Sequence, residues 1–142
     1  MPDLTFSKVV PTDDQINDLY QLLTQRRHKI SHLVQPSLAE HADFVNAHPY
    51  RAWYIAYRDN QAAGSVYLSN DNTIGLNMLD DPTATDLATV ITHLKKNYAP
   101  LPAIKSVRAA RFSINVPPTN TALHDALKAL GAEVLQTTYT LD

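Results

Sequence analysis

Three strand-like runs follow one another between Tyr50 and Leu79 with only short turns between them, and this constrains the fold more than any other stretch of the chain. In the first run, Arg51-Ala52-Trp53-Tyr54-Ile55-Ala56-Tyr57, the large residues Trp53, Ile55 and Tyr57 recur at every second position, which is the period of a strand. Asp59-Asn60 reads as the turn into a second run, Gly64-Ser65-Val66-Tyr67-Leu68. Ser69-Asn70-Asp71-Asn72 closes that run, because such side chains bond their own backbone and favour turns over ladders. In the third run, Thr73 to Leu79, Ile74, Leu76 and Met78 share one face while Gly75 and Asn77 cover the other thinly. A glycine inside a strand weakens it unless a bulge or a close approach uses the space, so this strand is the first candidate for a binding surface.

The flanking segments supply helices. Thr12 and Gln15 have the spacing of a capping box for a helix that buries Ile16, Leu19, Tyr20 and Leu23 and runs to about Arg27. Ser37 and Glu40 repeat the signature for a second helix, with Leu38, Ala42 and Val45 inward and His48-Pro49 as the stop. After the meander, Asp80-Asp81-Pro82-Thr83 introduces a third helix with Leu87, Val90, Ile91 and Leu94 as its stripe. The alternation of Phe112, Ile114 and Val116 predicts a strand within Val107 to Val116. A fourth helix then carries Leu123, Ala126, Leu127 and Leu130 and ends at Gly131, and Val134 to Leu141 reads as the last strand. With Thr5 to Val10 as an opening strand, the order is β-α-α-β-β-β-α-β-α-β. It predicts an α/β (α+β) fold in which a mixed, mostly antiparallel sheet carries helices on both faces.

Bulk properties narrow the functional classes. A length of 142 residues, 44% of them hydrophobic, favours a single domain over 1–142. A net charge of −2 with no long basic run gives no reason to expect nucleic acid. The absence of cysteine excludes disulfides, thiol nucleophiles and thiolate metal sites. Neither a signal peptide nor an apolar run of about 20 residues is evident, so a cytoplasmic protein with no membrane partner is expected. His28 and His32, spaced i, i+4, lack a third ligand nearby, and no metal is expected. Arg26, Arg27 and Lys29 would suit a phosphate or complement a helix end. Trp53, Tyr54 and Tyr57 read as core more readily than as a sugar platform.

The element order, with the strings His48-Pro49-Tyr50-Arg51-Ala52-Trp53-Tyr54-Ile55, Gly64 to Leu68 and Asn72 to Leu76, resembles the GCN5-related N-acetyltransferase (GNAT) superfamily, and in particular members from bacterial surface-sugar pathways. Asn115 to Asn120, Leu127 to Gly131 and Gln136 to Tyr139 are similar to the family's C-terminal pattern. The resemblance implies the acyl-CoA N-acyltransferase fold and transfer of an acetyl or similar short acyl group from acetyl-CoA to a small-molecule amine, an amino sugar being one such acceptor. It implies a cleft where the fourth strand splays from the fifth, with Gly75 and backbone at Asn77, Met78 and Leu79 receiving the cofactor's pantetheine arm. It also implies cofactor contacts from Thr83, Thr85 and Asn120, although Asn120 reads equally as a helix cap. The family's glycine-rich pyrophosphate loop falls on Leu79 to Asp86, which holds no glycine and three carboxylates. The tyrosine that protonates the departing thiolate falls on Leu127, and His124 is the nearby general-acid candidate. Glu40 and His41, on the helix expected to border the acceptor, are acid/base candidates, with Glu40 already explained as a cap. The alternative is a noncatalytic GNAT-like domain that has lost the pyrophosphate loop and serves binding or regulation. Either a monomer or a homodimer fits the sequence.

Overall fold

The computed structural model describes residues 3–25 and 35–142. Arg26, Arg27, His28, Lys29 and His32, weighed above as phosphate or metal ligands, lie outside the described residues.

The meander forms as its sequence dictates. β2 (Ala52–Arg58) and β3 (Gln61–Leu68) are joined by Asp59 and Asn60, both at positive φ (52° and 63°), the conformation a two-residue hairpin loop needs to match the twist of its strands. β4 (Thr73–Met78) pairs antiparallel with β3, and β1 (Thr5–Lys8) pairs antiparallel with β2. β5 (Ser113–Ile114) lies parallel to β4, giving the sheet order β1-β2-β3-β4-β5. The mixed, mostly antiparallel sheet is the one expected.

Both faces of the sheet are covered. On one, Trp53 and Ile55 pack with Ile16, Leu19 and Leu22 of α1 (Asp13–Thr24) and Val45 of α2 (Leu38–Asn46). On the other, Ala52, Tyr54, Ala56, Val66, Leu68 and Ile74 pack with Val90 and Leu94 of α3 (Ala84–Asn97). Central strands buried on both sides need apolar residues at successive positions. That is why Ala52 to Ala56 are all buried, although only the larger alternate residues stood out in the sequence. α4 (Thr121–Ala129) closes a third cluster, with Leu123 and Ala126 against Leu87 of α3.

Several expectations are corrected. α1 has its C-cap at Gln25 and buries Leu22 more deeply than Leu23, and Gln15 reaches back to the Val10 N–H and the Lys8 carbonyl instead of closing a capping box on Thr12. In α2 the buried residues are His41 and Val45, while Leu38 is 47% exposed, because a nine-residue helix turns only a narrow stripe to the sheet. The strand expected over Val107 to Val116 pairs only at Ser113 and Ile114; Arg108 instead forms a bridge with Ile104, and its guanidinium donates to Pro102 O and Asn70 O. Val134 to Leu141 forms no strand: it is exposed throughout and meets no sheet edge in its own chain.

Candidate functional site

The site is a fork in the sheet. β4 pairs with β5 at Thr73–Ser113 and Ile74–Ile114, and the pairing stops there, while β3 follows β4 as far as Met78. Beyond Ile74, therefore, no strand among the described residues lies beside the β5-facing edge of β4.

Ladder parity decides which groups point into the fork. The Ser69 N–H donates to Thr73 O (2.9 Å) and the Leu79 N–H to Ala63 O (2.9 Å), so odd-numbered residues of β4 turn their backbone toward β3. Antiparallel bonding alternates, so even-numbered residues turn theirs the other way. The Ser113 N–H donates to Asn72 O (3.1 Å), which fixes that other side as the β5 side. Ile74 spends its groups on β5; Leu76 and Met78 are left with theirs on the open edge. Asn77 and Leu79, expected to offer backbone to a cofactor, face β3 instead, and the Asn77 side chain donates to Leu22 O of α1 (3.4 Å). Leu76 takes their place. Its assignment needs the hairpin register, which composition and periodicity do not supply.

Gly75 serves a different purpose from the one expected. Its cross-strand partner is Tyr67, and a Cβ at Gly75 would sit 2.0 Å from that ring. Tyr67 is in turn stacked on Tyr50, with ring centroids 4.0 Å apart. The glycine makes room for an aromatic residue of its own sheet, a pairing that restores packing over a weak strand position. The opening thus lies in the plane of the sheet, at the β4 edge, and not on the face above Gly75. Gly75→Ala is expected to destabilise the chain by about 1–3 kcal/mol through overpacking. Urea denaturation of the variant, and of the same variant with Tyr67→Ala, checks this: the second change should return part of the loss.

Asn72 sets the fork's closed end. It is fully buried at φ 68°, a left-handed conformation that asparagine tolerates better than most residues. Its Nδ2 donates to Leu101 O (3.0 Å) and Ala109 O (2.8 Å), and its Oδ1 accepts from the Leu101 N–H (2.8 Å). One side chain therefore moors the 101–109 segment to the β3–β4 turn, while its carbonyl takes the first bond of β5. Sequence reading treated Asn72 only as part of a turn cluster; four turn formers in a row hid the one with a tertiary role.

At the fork's open end the chain turns into α3. Thr83 is the N-cap, its hydroxyl accepting from the Asp86 N–H (3.0 Å), and the Asp86 carboxylate accepts in return from the Thr83 N–H (3.4 Å). Arg58, from β2, pairs with Asp86 at 2.8 Å. Of the three carboxylates in the segment, Asp86 is thus neutralised and tied down, whereas Asp80 and Asp81 are exposed. The N–H groups of Ala84 and Thr85, in the first turn of α3, and the exposed Thr83 and Thr85 hydroxyls are what this end can offer an anion, the Thr83 oxygen accepting from Asp86 while its O–H can still donate.

The remaining candidates are spread out. Leu127, like Leu76, Ile114 and Val116, packs against the Leu87, Leu123 and Ala126 cluster, and Asn120 is the N-cap of α4, its Oδ1 accepting from the Leu123 N–H (3.3 Å). The His124 Nε2 lies 3.2 Å from Pro117 O, a contact that is a hydrogen bond in the tautomer with the proton on Nε2, since a carbonyl only accepts. Glu40 completes its capping box with Ser37, and the hydrogen bonds from the Ser37 backbone and hydroxyl hold its carboxyl below the usual range. His41 is buried beside the Tyr20 ring, and burial lowers its pKa. Among the described residues no group of three or more His, Asp or Glu side chains is arranged to hold a metal, and no helix is long and apolar enough to cross a membrane. A cavity of about 650 Å³ lined by Lys95, Lys96, Tyr98, Arg111 and Phe112 lies at the opposite end of α3, roughly 20 Å from its N-terminus, and is separate from the fork.

No family model and no curated protein matches the sequence. Solved structures do match. An aminoglycoside N-acetyltransferase, AAC(6')-Iy in complex with CoA, aligns with 100% of this chain and 95% of its own at a TM-score of 0.59 and 14% identity. An integron cassette protein from the mobile metagenome of V. cholerae covers 100% of this chain and 94% of its own at 0.60 and 11%. A GNAT-family acetyltransferase from Streptococcus pneumoniae TIGR4 covers 98% of each at 0.55 and 10%. With a five-stranded mixed sheet, four helices and a forked β4–β5 edge among the described residues, this chain has the acyl-CoA N-acyltransferase fold of the GNAT acetyltransferases.

Proposed function

We propose that the chain is an N-acyltransferase that moves an acetyl or similar short acyl group from acyl-CoA to the amine of a small molecule, with amino sugars as the acceptor class. The observation that carries this reading is the fork: backbone groups of Leu76 and Met78 stand on an edge that no neighbouring strand uses. An extended amide-bearing chain such as pantetheine can bond that edge as an added strand would. Fold likeness to a CoA complex, and to AAC(6')-Iy bound to a bisubstrate analogue of CoA and monomethyl-acetylneamine, supports the choice of donor and of an amine acceptor.

The residues fit the two halves of the donor unequally. Leu76 and Met78 suit the arm. At the α3 N-terminus, Ala84 and Thr85 offer N–H groups and Thr83 and Thr85 offer hydroxyls to the pyrophosphate, with Arg58 cancelling the charge of Asp86. When bound, the donor supplies an activated thioester. The chain's part is to hold it in the fork and to aim a fixed N–H at the carbonyl oxygen as the amine attacks, which needs positioned backbone and no covalent enzyme intermediate. His124, half-buried near the start of α4, is the candidate proton donor to the departing thiolate, and a water or histidine takes the proton of the amine.

One observation favours the second reading, a noncatalytic domain on the same fold. Asp86 already places a carboxylate at the third position of α3, where an incoming anion would draw on the helix dipole. Calorimetric titration with acetyl-CoA separates the two. The transferase reading expects micromolar, single-site binding; no heat at millimolar ligand would leave the noncatalytic domain.

A further inference from the structure

The cavity of about 650 Å³ at the C-terminal end of α3 is walled by the end of that helix and residues 98–100 on one side and by residues 110–112 on the other. Both walls are held in place. The Asn72 side chain bonds Leu101 and Ala109, which adjoin the two walls, so one buried residue ties them together. The Arg51 guanidinium donates to Ala99 O (2.9 Å) and lies 5.3 Å from the centre of the Tyr98 ring, and the Tyr98 hydroxyl is 2.7 Å from that of Tyr54. The cavity is therefore built into the fold, and it has the size that small-molecule sites occupy.

Its charge is one-sided. Lys95, Lys96 and Arg111 line it, no carboxylate does among the described residues, and this in a chain whose net charge is −2. Cations in the last turn of a helix answer its dipole and need no ligand on that account. The dipole amounts to only about half a charge, so three cations exceed it several-fold. Among the described residues none of the three side chains takes part in a hydrogen bond or an ion pair. Like charges gathered around one cavity repel one another unless an anion is shared between them. In the same walls the half-buried Tyr98 and Phe112 supply aromatic surface.

We infer that this cavity is a second binding site, for a small phosphate monoester borne on a ring, the class of a nucleoside monophosphate. The phosphate is shared by Lys95, Lys96 and Arg111, and the ring lies against Tyr98 and Phe112. A phosphate monoester carries about −1.5 to −2 at neutral pH, and its oxygens accept charge-assisted hydrogen bonds from arginine and lysine alike. A strand of nucleic acid would need basic groups along a track longer than one cavity. The site does not rest on the transferase reading, because it lies at the other end of α3 from the groups offered to the pyrophosphate and uses neither Leu76 nor Met78.

Calorimetric titration of the full chain with adenosine monophosphate, at low salt and about pH 7.5 where the phosphate is close to a dianion, tests this. Inorganic phosphate and adenosine are the separate probes for the two halves of the ligand. One adenosine monophosphate per chain is expected, with a submillimolar Kd that is unchanged by saturating acetyl-CoA, and each half alone should bind at least about tenfold more weakly. The double variant Lys95→Ala, Arg111→Ala should weaken the nucleotide by about tenfold or more. Lys105→Ala, Lys128→Ala removes as much charge elsewhere and should leave the affinity as it was. None of these four side chains is bonded to the folded body among the described residues, so both variants are expected to match the parent by circular dichroism. Four outcomes each overturn the inference: no heat with adenosine monophosphate, its displacement by acetyl-CoA, binding of either half as tight as that of the whole, or an equal loss in the two double variants. Adenosine monophosphate bound by a chain that takes no acetyl-CoA would support this site while removing the transferase reading.

Discussion

Met78→Pro is expected to lower acetyl transfer by about 10²–10³-fold while the chain stays folded, and Asn77→Pro, one position away, is expected to unfold it. The contrast follows from ladder parity. The Asn77 N–H belongs to the β3 side of the strand, so proline there deletes an internal sheet bond, which a central strand does not tolerate. The Met78 N–H faces the fork and bonds no strand, so its loss leaves the β3–β4 ladder whole. What it removes is a donor for the acyl-CoA arm or carbonyl, and deleting one such donor costs catalysis on the order quoted. The Met78 side chain lies over Gly64, where a Cβ would come within 2.4 Å of its Sδ, so Met78→Ala is the control that shares the packing loss but keeps the N–H. Activity of the alanine variant near that of the parent, with the proline variant inactive and both folded by circular dichroism, is the expected pattern. Equal activity in both would remove the Met78 N–H from the mechanism.

Asn72→Ala carries the second large effect, on stability and on the fork together. The substitution removes the partner of Leu101 O, Ala109 O and the Leu101 N–H, three part-buried hydrogen bonds, and forces alanine into a left-handed conformation. Each lost hydrogen bond costs about 0.5–1.5 kcal/mol and a left-handed alanine about 1–2 kcal/mol, so a total loss of about 3–5 kcal/mol is expected. That is a large share of what a domain of this size has. Asn72→Asp separates geometry from chemistry. It keeps the shape but turns a donor facing two carbonyls into a carboxylate oxygen, so it should be at least as damaging at neutral pH and recover as pH falls and the carboxyl protonates. Guanidinium denaturation at pH 5 and pH 7.5 reads both effects. A midpoint for Asn72→Ala within experimental error of the parent would show that the 101–109 segment and β5 are held by something else.

How much of this was legible in the sequence depends on the range over which each signal acts. Local signals read well: Ser37 with Glu40, Thr83 as a cap, Asn120 before α4, Gly131 after it, and the Asp59-Asn60 turn all form as their residue types require. The strand periods of the meander also read true, since a period of two survives whatever packs on it. What failed was non-local. Val107 to Val116 has strand composition, but its first half is held by Arg108 bonds to Pro102 and Asn70, partners that composition does not announce. Gly75 drew attention as an opening because the sequence does not show that Tyr67 stands opposite it. At the site, the fork was expected from the resemblance; of the backbone groups expected to face it, those of Met78 do, while those of Asn77 and Leu79 face β3 and Leu76 was missed. A strand's side chains announce their faces in the sequence, whereas its N–H and C=O groups announce theirs only once the register is known. Val134 to Leu141 is a strand by every local rule, yet it forms none, because composition does not say whether a sheet edge lies within reach.

The central claim is that the β5-facing edge of β4 is an unfilled strand position that an acyl-CoA arm completes. Amide hydrogen exchange resolved to single residues tests it most directly. In the free chain, Leu76 and Met78 should exchange quickly while Gly75, Asn77 and Leu79 are protected by β3, and saturating acetyl-CoA should slow Leu76 and Met78 alone among the five. Leu76 and Met78 already protected in the free chain, or unchanged at saturation, would contradict the account.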